Sequence, residues 1–143
     1  MEELYVRYFH FLSIIVLASA LVGEHLLLSK KMPVNVFKKV IVLDAIYGVS
    51  AVTTLVSGLL LWLSFGKPAE FYSSNYIFHI KLTLYVAIAL LSIFPTVYFL
   101  RNLKTKEHDI ILPQYLISII RLELLLFLPL PLLGVLIAKG IGL

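Results

Sequence analysis

The chain contains no cysteine. That absence removes disulfides, thiolate zinc sites, cysteine-held clusters and thiol nucleophiles together, and leaves His, Asp, Glu, Lys, Arg and Tyr to carry any chemistry. Charge is scarce as well. Only 14% of the 143 residues are Asp, Glu, Lys or Arg, where a soluble globular domain carries about a quarter. Glycine (7) and proline (6) are ordinary in number, which excludes collagen-like and low-complexity repeats, and no polar tract exists that would stay disordered. What fills the chain is apolar, at 61% hydrophobic and a mean hydropathy of +1.01. Such a composition needs lipid as its solvent. The net charge of +4 then belongs to loops that set orientation in a bilayer, and no nucleic-acid partner is expected.

Four stretches meet the requirement of about 20 predominantly apolar residues for a membrane helix: roughly 4–28, 36–65, 77–100 and 113–138. The first is read as a retained helix, because Met1-Glu2-Glu3-Leu4 is acidic where a signal peptide is basic and the run is too long for a signal core. Breakers fall between the stretches, at Lys30-Lys31-Met32-Pro33, at Gly66-Lys67-Pro68 and from Asn102 to Asp109, and Pro113 suits a helix first turn. The loops are too short to separate a second domain. The expected fold is therefore all-α: one integral membrane four-helix bundle over residues 1–143, running up-down-up-down.

Positive charge gathers in two of the loops. Lys30, Lys31, Lys38 and Lys39 follow the first stretch and Arg101, Lys104 and Lys106 the third, whereas the opposite side has Arg7, Lys67 and Lys139. The positive-inside bias places both termini outside the cytoplasm. Orientation sorts the polar residues of the spans into two levels, an outer one with His10, His79 and Lys81 and an inner one with Glu24, His25, Asp44, Arg121 and Glu123. On helix one His10 and Glu24 share a face roughly 21 Å apart. Ionisable groups inside a bilayer are costly, so they face the bundle, pair, and mark function.

At the outer level, two histidines on helices one and three satisfy the first requirement of a six-coordinate haem. Tyr5, Tyr8, Phe9 and Phe78 would line its pocket, and Arg7 or Lys67 would meet the propionates. The bland alternative makes His10 and His79 interfacial residues bonded to carbonyls and headgroups. His79 and Lys81 are also about 200° apart on a helix, so one of them must look away from the bundle axis. At the inner level three carboxyls stand against Arg121 and His25. This set either shares protons, as a relay, a cation site or a quinone-protonation site, or is an ion pair of Asp44 with Arg121 that fixes helix register. The row Ser50-Thr54-Gly58 reads as close helix packing. Pro95 predicts a kink in the third helix. No nucleophile–base pair, phosphate-cradling glycine loop or HExxH signature is present, which disfavours hydrolase and nucleotide-driven chemistry.

The series His10-Phe-Leu, Glu24-His25, Leu43-Asp44 with Tyr47-Gly48, Ser57-Gly58, Tyr72 with Asn75, His79-Ile-Lys81, Ile93-Phe-Pro95-Thr96 and Arg121-Leu-Glu123 resembles the small bacterial membrane proteins grouped as domain of unknown function 2214. That likeness runs nearly end to end and implies the fold. More distantly, a first-helix histidine and a third-helix His-x-Lys are similar to the HemJ-type, haem-containing, quinone-linked protoporphyrinogen oxidase. What this second resemblance implies is a haem b held by His10 and His79 through its iron, with Lys81 as the catalytic residue near porphyrin or quinone. The Asp44 and Arg121-Leu-Glu123 segments have no counterpart in it. The expectations are thus a multi-pass protein of the bacterial inner membrane, acting as a haem redox protein, as a small proton-coupled transporter, or as a non-catalytic subunit or assembly factor. Its partners would be the lipid bilayer, a quinone or porphyrin, and further copies or a larger membrane complex.

Overall fold

The structure is a computed structural model and describes residues 2–65 and 69–142. Its long helices are α1 (Glu2–Leu27), α2 (Val34–Leu60), α4 (Tyr76–Arg101) and a fourth span divided into α5 (Gln114–Phe127) and α6 (Pro129–Ala138). These make four segments long and apolar enough to cross a membrane, as the sequence predicts. The division of the fourth span is not anticipated above, although its cause is visible in the chain. Pro129 has no N–H to continue the ladder, and its fixed φ suits the first turn of a new helix. Conversely, α4 continues through Pro95 to Arg101. Past Leu60 the second span ends in a π-helical turn, Leu61–Phe65, and a short helix α3 (Ala69–Ser73) leads into α4. The predicted breaker at 66–68, and with it Lys67, lies outside the described residues.

The helices form a ring. Helices α1 and α2 pack most extensively, α4 lies against α5 and α6, α1 also meets α5, and α2 touches α4 only sparsely. Close approach of α1 and α2 depends on Gly58: a Cβ there would stand 3.2 Å from Cε1 of His10. Most large apolar side chains on the outer faces are exposed, among them Phe9, Ile15, Val49, Val52, Leu90 and Leu125. In water that surface would aggregate, and in a bilayer it is solvated by acyl chains.

Each end of the bundle is closed in its own way. At the end bearing both termini, Asn75 is fully buried and caps α4, its Oδ1 accepting from Ile77 N at 2.9 Å while its Nδ2 donates to the Ile141 carbonyl at 2.9 Å. Gly142 has φ +96°, and a Cβ there would fall 2.5 Å from Asn75 Oδ1, so only glycine fits both the backbone and the space. At the other end the two basic loops pair as strands, β1 (Lys31–Pro33) antiparallel to β2 (Asp109–Ile111), with Met32 opposite Ile110. The pairing is extended by Leu112 N to Lys30 O at 2.8 Å and Val34 N to His108 O at 2.9 Å. It turns Met32, Ile110 and Leu112 inward onto Phe37, Phe99 and Leu116, all of them buried. The loops thus carry charge outward and an apolar plug inward, an alternation that the charge count alone does not reveal.

Candidate functional site

Beneath that plug lie three acidic side chains from three helices. Glu24 of α1 is 0% exposed, Asp44 of α2 7% and Glu123 of α5 1%. Each occupies the inward stripe of its helix: Leu17, Ala20, Leu21 and Glu24 on α1, Val40, Asp44 and Tyr47 on α2, and Leu116, Ile120 and Glu123 on α5. The 3.6-residue period therefore places them in the core with the apolar residues. Their electrostatic neighbours are one another: Glu24 faces Asp44 and Glu123, and Glu123 faces Asp44. Asp44 Oδ2 accepts a hydrogen bond from Thr96 Oγ1 of α4 at 2.8 Å. No N–H or hydroxyl donates to either oxygen of Glu24, whose hydrogen-bond neighbour is the Asp44 carboxyl, a contact that needs a proton on one of the two acids, and Oε1 of Glu123 has no partner.

Among the described residues no cation pairs with these acids. Arg121, expected to pair with Asp44, is exposed, because Glu123 takes the inward position and a residue two places away points to the opposite side of the helix. Among the described residues the one ion pair is Arg7 with Glu3, 2.7 Å apart on the surface of α1. The buried cluster read from the sequence is thus corrected to Glu24, Asp44 and Glu123, with Arg121 outside it and His25 half-buried at the helix end. Nor do His, Asp and Glu side chains among the described residues gather in threes around one point that would hold a metal ion. Carboxyls at one low-dielectric site cannot all ionise together, so the chemistry open to this arrangement is that of protonated acids.

Tyrosines and hydroxyls continue the polar interior toward the other end. Tyr47, buried on α2, faces Glu123, Glu24, Asp44 and Tyr85 of α4. The Tyr85 hydroxyl donates to the Ala51 carbonyl of α2. One and two turns further along α2 stand Thr54 and Ser57, both buried, and Thr54 Oγ1 is without a partner. His10 closes the series, its Nδ1 2.8 Å from Ser57 Oγ and 3.1 Å from the Thr54 carbonyl. A carbonyl only accepts, so Nδ1 carries the hydrogen and Nε2 is left as the acceptor. Lys81 of α4 is directed inward, its Nζ 3.3 Å from where a Cβ on Gly134 of α6 would lie, and it acts electrostatically on His10.

The arrangement separates the members of the expected haem site. His10 and Lys81 face the interior, whereas His79 is exposed and its Nε2 donates to the Ser73 carbonyl at 2.7 Å. With Lys81 turned in, His79 two residues earlier must turn out, as helical geometry requires. Arg7, the other expected propionate partner, is held by Glu3. His10 has the tautomer of a ligand, but Gly58 packs against its ring, and the His79 imidazole is engaged by Ser73 on the exposed side of α4. The residues present do not fit a bis-histidine haem. Tyr47, Tyr85, Thr96 and Thr54 were missing from the predicted site. Tyr47 and Tyr85 each lie three or four residues from a predicted polar position, Asp44 or Lys81, and that spacing is the signal that could have found them.

Four apolar spans closed around a buried acidic group define a multi-pass membrane protein with a polar interior. The chain belongs to the family described as "predicted membrane protein (DUF2214)", whose model matches residues 2–142. No curated protein and no solved structure matches it.

Proposed function

We propose that this protein binds and releases protons inside the membrane through Glu24, Asp44 and Glu123, as the centre of a proton-coupled transporter. One observation carries the reading: three carboxyls are buried together in the spans with no Lys, Arg or His paired with them among the described residues. An acidic group kept solely to fix helix register gains from a cationic partner, and a lone uncompensated group is the costly form. Proton exchange explains its retention without one. Tyr47, Tyr85, Thr54, Ser57 and His10 supply hydroxyl and imidazole groups from the acids toward the far end, and the partnerless oxygens of Thr54, Glu24 and Glu123 are places for internal water.

The test is infrared absorption of the protein in lipid during a pH titration. Protonated carboxyl bands above the amide I envelope should appear and vanish with pH, shift in D2O, and be reduced in both Glu24→Gln and Glu123→Gln. Carboxyl bands insensitive to pH and to D2O would end the proton reading and leave a structural subunit. The haem reading implied by the oxidase resemblance requires His79 to abandon Ser73. A low-spin haem spectrum lost in both His10→Ala and His79→Ala would establish it over the present proposal.

A further inference from the structure

The acidic group is reached from the flank of the bundle. Between α2 and α4 a groove runs on the lipid-facing surface, lined by Ile41, Gly48, Val52 and Phe99, with Asp44 and Thr96 among its walls. Sparse contact between the two helices leaves it uncovered, and a Cβ added at Gly48 would meet nothing within 4 Å. The polar groups of its lining are the Asp44 carboxyl and the hydroxyls of Thr96 and Thr53. Thr96 engages one carboxyl oxygen, Oδ2, at 2.8 Å. Behind Asp44 stand Glu24 and Glu123, 0% and 1% exposed, with no N–H or hydroxyl donating to the oxygens of Glu24 or to Oε1 of Glu123.

We propose that this groove binds a lipophilic organic cation from the bilayer, its charged centre against Asp44 and its apolar body along α2 and α4, in exchange for a proton held by the acids. The inference rests on the proton reading above and adds the substrate class. Charge complementarity selects the occupant. An anion would oppose the negative charge that appears when the group gives up a proton, and a neutral acyl chain would fill the apolar walls without compensating that charge. A cation supplies the countercharge that the chain itself withholds, since Arg121 is exposed and Lys81 lies toward the other end of α4. The groups facing Asp44 are Glu24 from α1, Tyr47 on its own helix, Thr96 from α4 and Glu123 from α5. Every titratable one among them is an acid, so proton and cation compete for the same negative charge. One positive charge enters and one proton leaves, and the charge of the site is unchanged.

The experiment uses the full chain in nanodiscs with tetraphenylphosphonium as the probe and tetraphenylborate as its counterpart of like shape and opposite charge, empty nanodiscs being subtracted. Saturable phosphonium binding is expected, weakening as pH falls, releasing protons into unbuffered solution, and exceeding borate binding by at least about tenfold, the scale of one charge-assisted contact. Asp44→Asn should lower phosphonium affinity by about tenfold or more for the same reason. Gly48→Leu should lower it similarly by filling the groove; its Cβ meets nothing within 4 Å, and the variant is expected to fold even if Asp44→Asn does not. Equal binding of the two ions, or phosphonium affinity unchanged in Gly48→Leu, would overturn the proposal. Carboxyls that titrate in the infrared while no phosphonium binds would refute the cation and leave the proton reading standing. Phosphonium binding without proton release would refute the exchange.

Discussion

Replacing Glu24 by methionine should stabilise the protein while abolishing its proton exchange. Glu24 lies three residues before the end of α1, about 4.5 Å along the axis. With the helices apart its carboxyl reaches the interfacial water, but in the bundle it is 0% exposed, no N–H or hydroxyl donates to either oxygen, and its hydrogen-bond neighbour is another acid, Asp44. Burying a polar group without a hydrogen bond costs about 1–3 kcal/mol by protein mutational measures. The facing carboxyls of Asp44 and Glu123 act in the same direction. Methionine is unbranched and of similar volume, so repacking costs less than about 1.5 kcal/mol. The net expectation is a gain of about 1–2 kcal/mol. Reversible unfolding in mixed micelles or by steric trapping in bicelles measures it, and infrared titration reads the lost carboxyl. A loss of more than about 1.5 kcal/mol would refute the reasoning, because it would mean that Glu24 is satisfied where it sits.

The opposite sign is expected at Gly58, where the Cβ of a leucine would stand 3.2 Å from His10 Cε1 and the rest of its side chain must displace the ring; overpacking should cost about 1–3 kcal/mol in the same unfolding assay. Ser57→Ala removes the 2.8 Å partner of His10 Nδ1 and should cost about 1 kcal/mol, with a shift of the imidazole 15N resonances; unchanged resonances would deny the contact. Ile110→Asp puts a charge into the plug at the paired-loop end, so carbodiimide labelling of Glu24 and Glu123 should rise sharply, and equal labelling would show that the plug does not seal them. Arg121→Ala should change stability by less than about 0.5 kcal/mol, since the side chain is exposed; a large loss would restore the abandoned ion pair with Asp44. Orientation follows the lysine and arginine bias: a reporter near Lys106 should read as cytoplasmic and one at the C-terminus as external, and the reverse result would invert the two ends.

The four spans were legible because hydrophobic length is a one-dimensional property. A run of about 20 apolar residues must cross the bilayer as helix, whatever its neighbours are. Glu24, Asp44 and Glu123 were legible for a related reason, since acids inside such runs are conspicuous and the helical period assigns them to inward stripes. The lipid-facing role of the remaining apolar residues follows from the same pattern.

Partnership was not legible. Sequence spacing required one of Arg121 and Glu123, and one of His79 and Lys81, to turn away, but only the rotation of α5 and α4 in the ring decided that Glu123 and Lys81 face inward. That rotation dissolved both the Asp44–Arg121 pair and the two-histidine pocket. Pairing of the two basic loops was equally hidden, because a strand of three residues carries little periodic signal and its partner lies nearly eighty positions away. The division at Pro129 and the continuity through Pro95 show that a proline alone does not decide whether a span breaks. Composition and period thus determined that this chain lives in a membrane with acids in its interior. Which side chains meet, and that Arg121 turns away from the acids, was decided by helix rotation and packing, quantities that exist only once the four spans stand against one another.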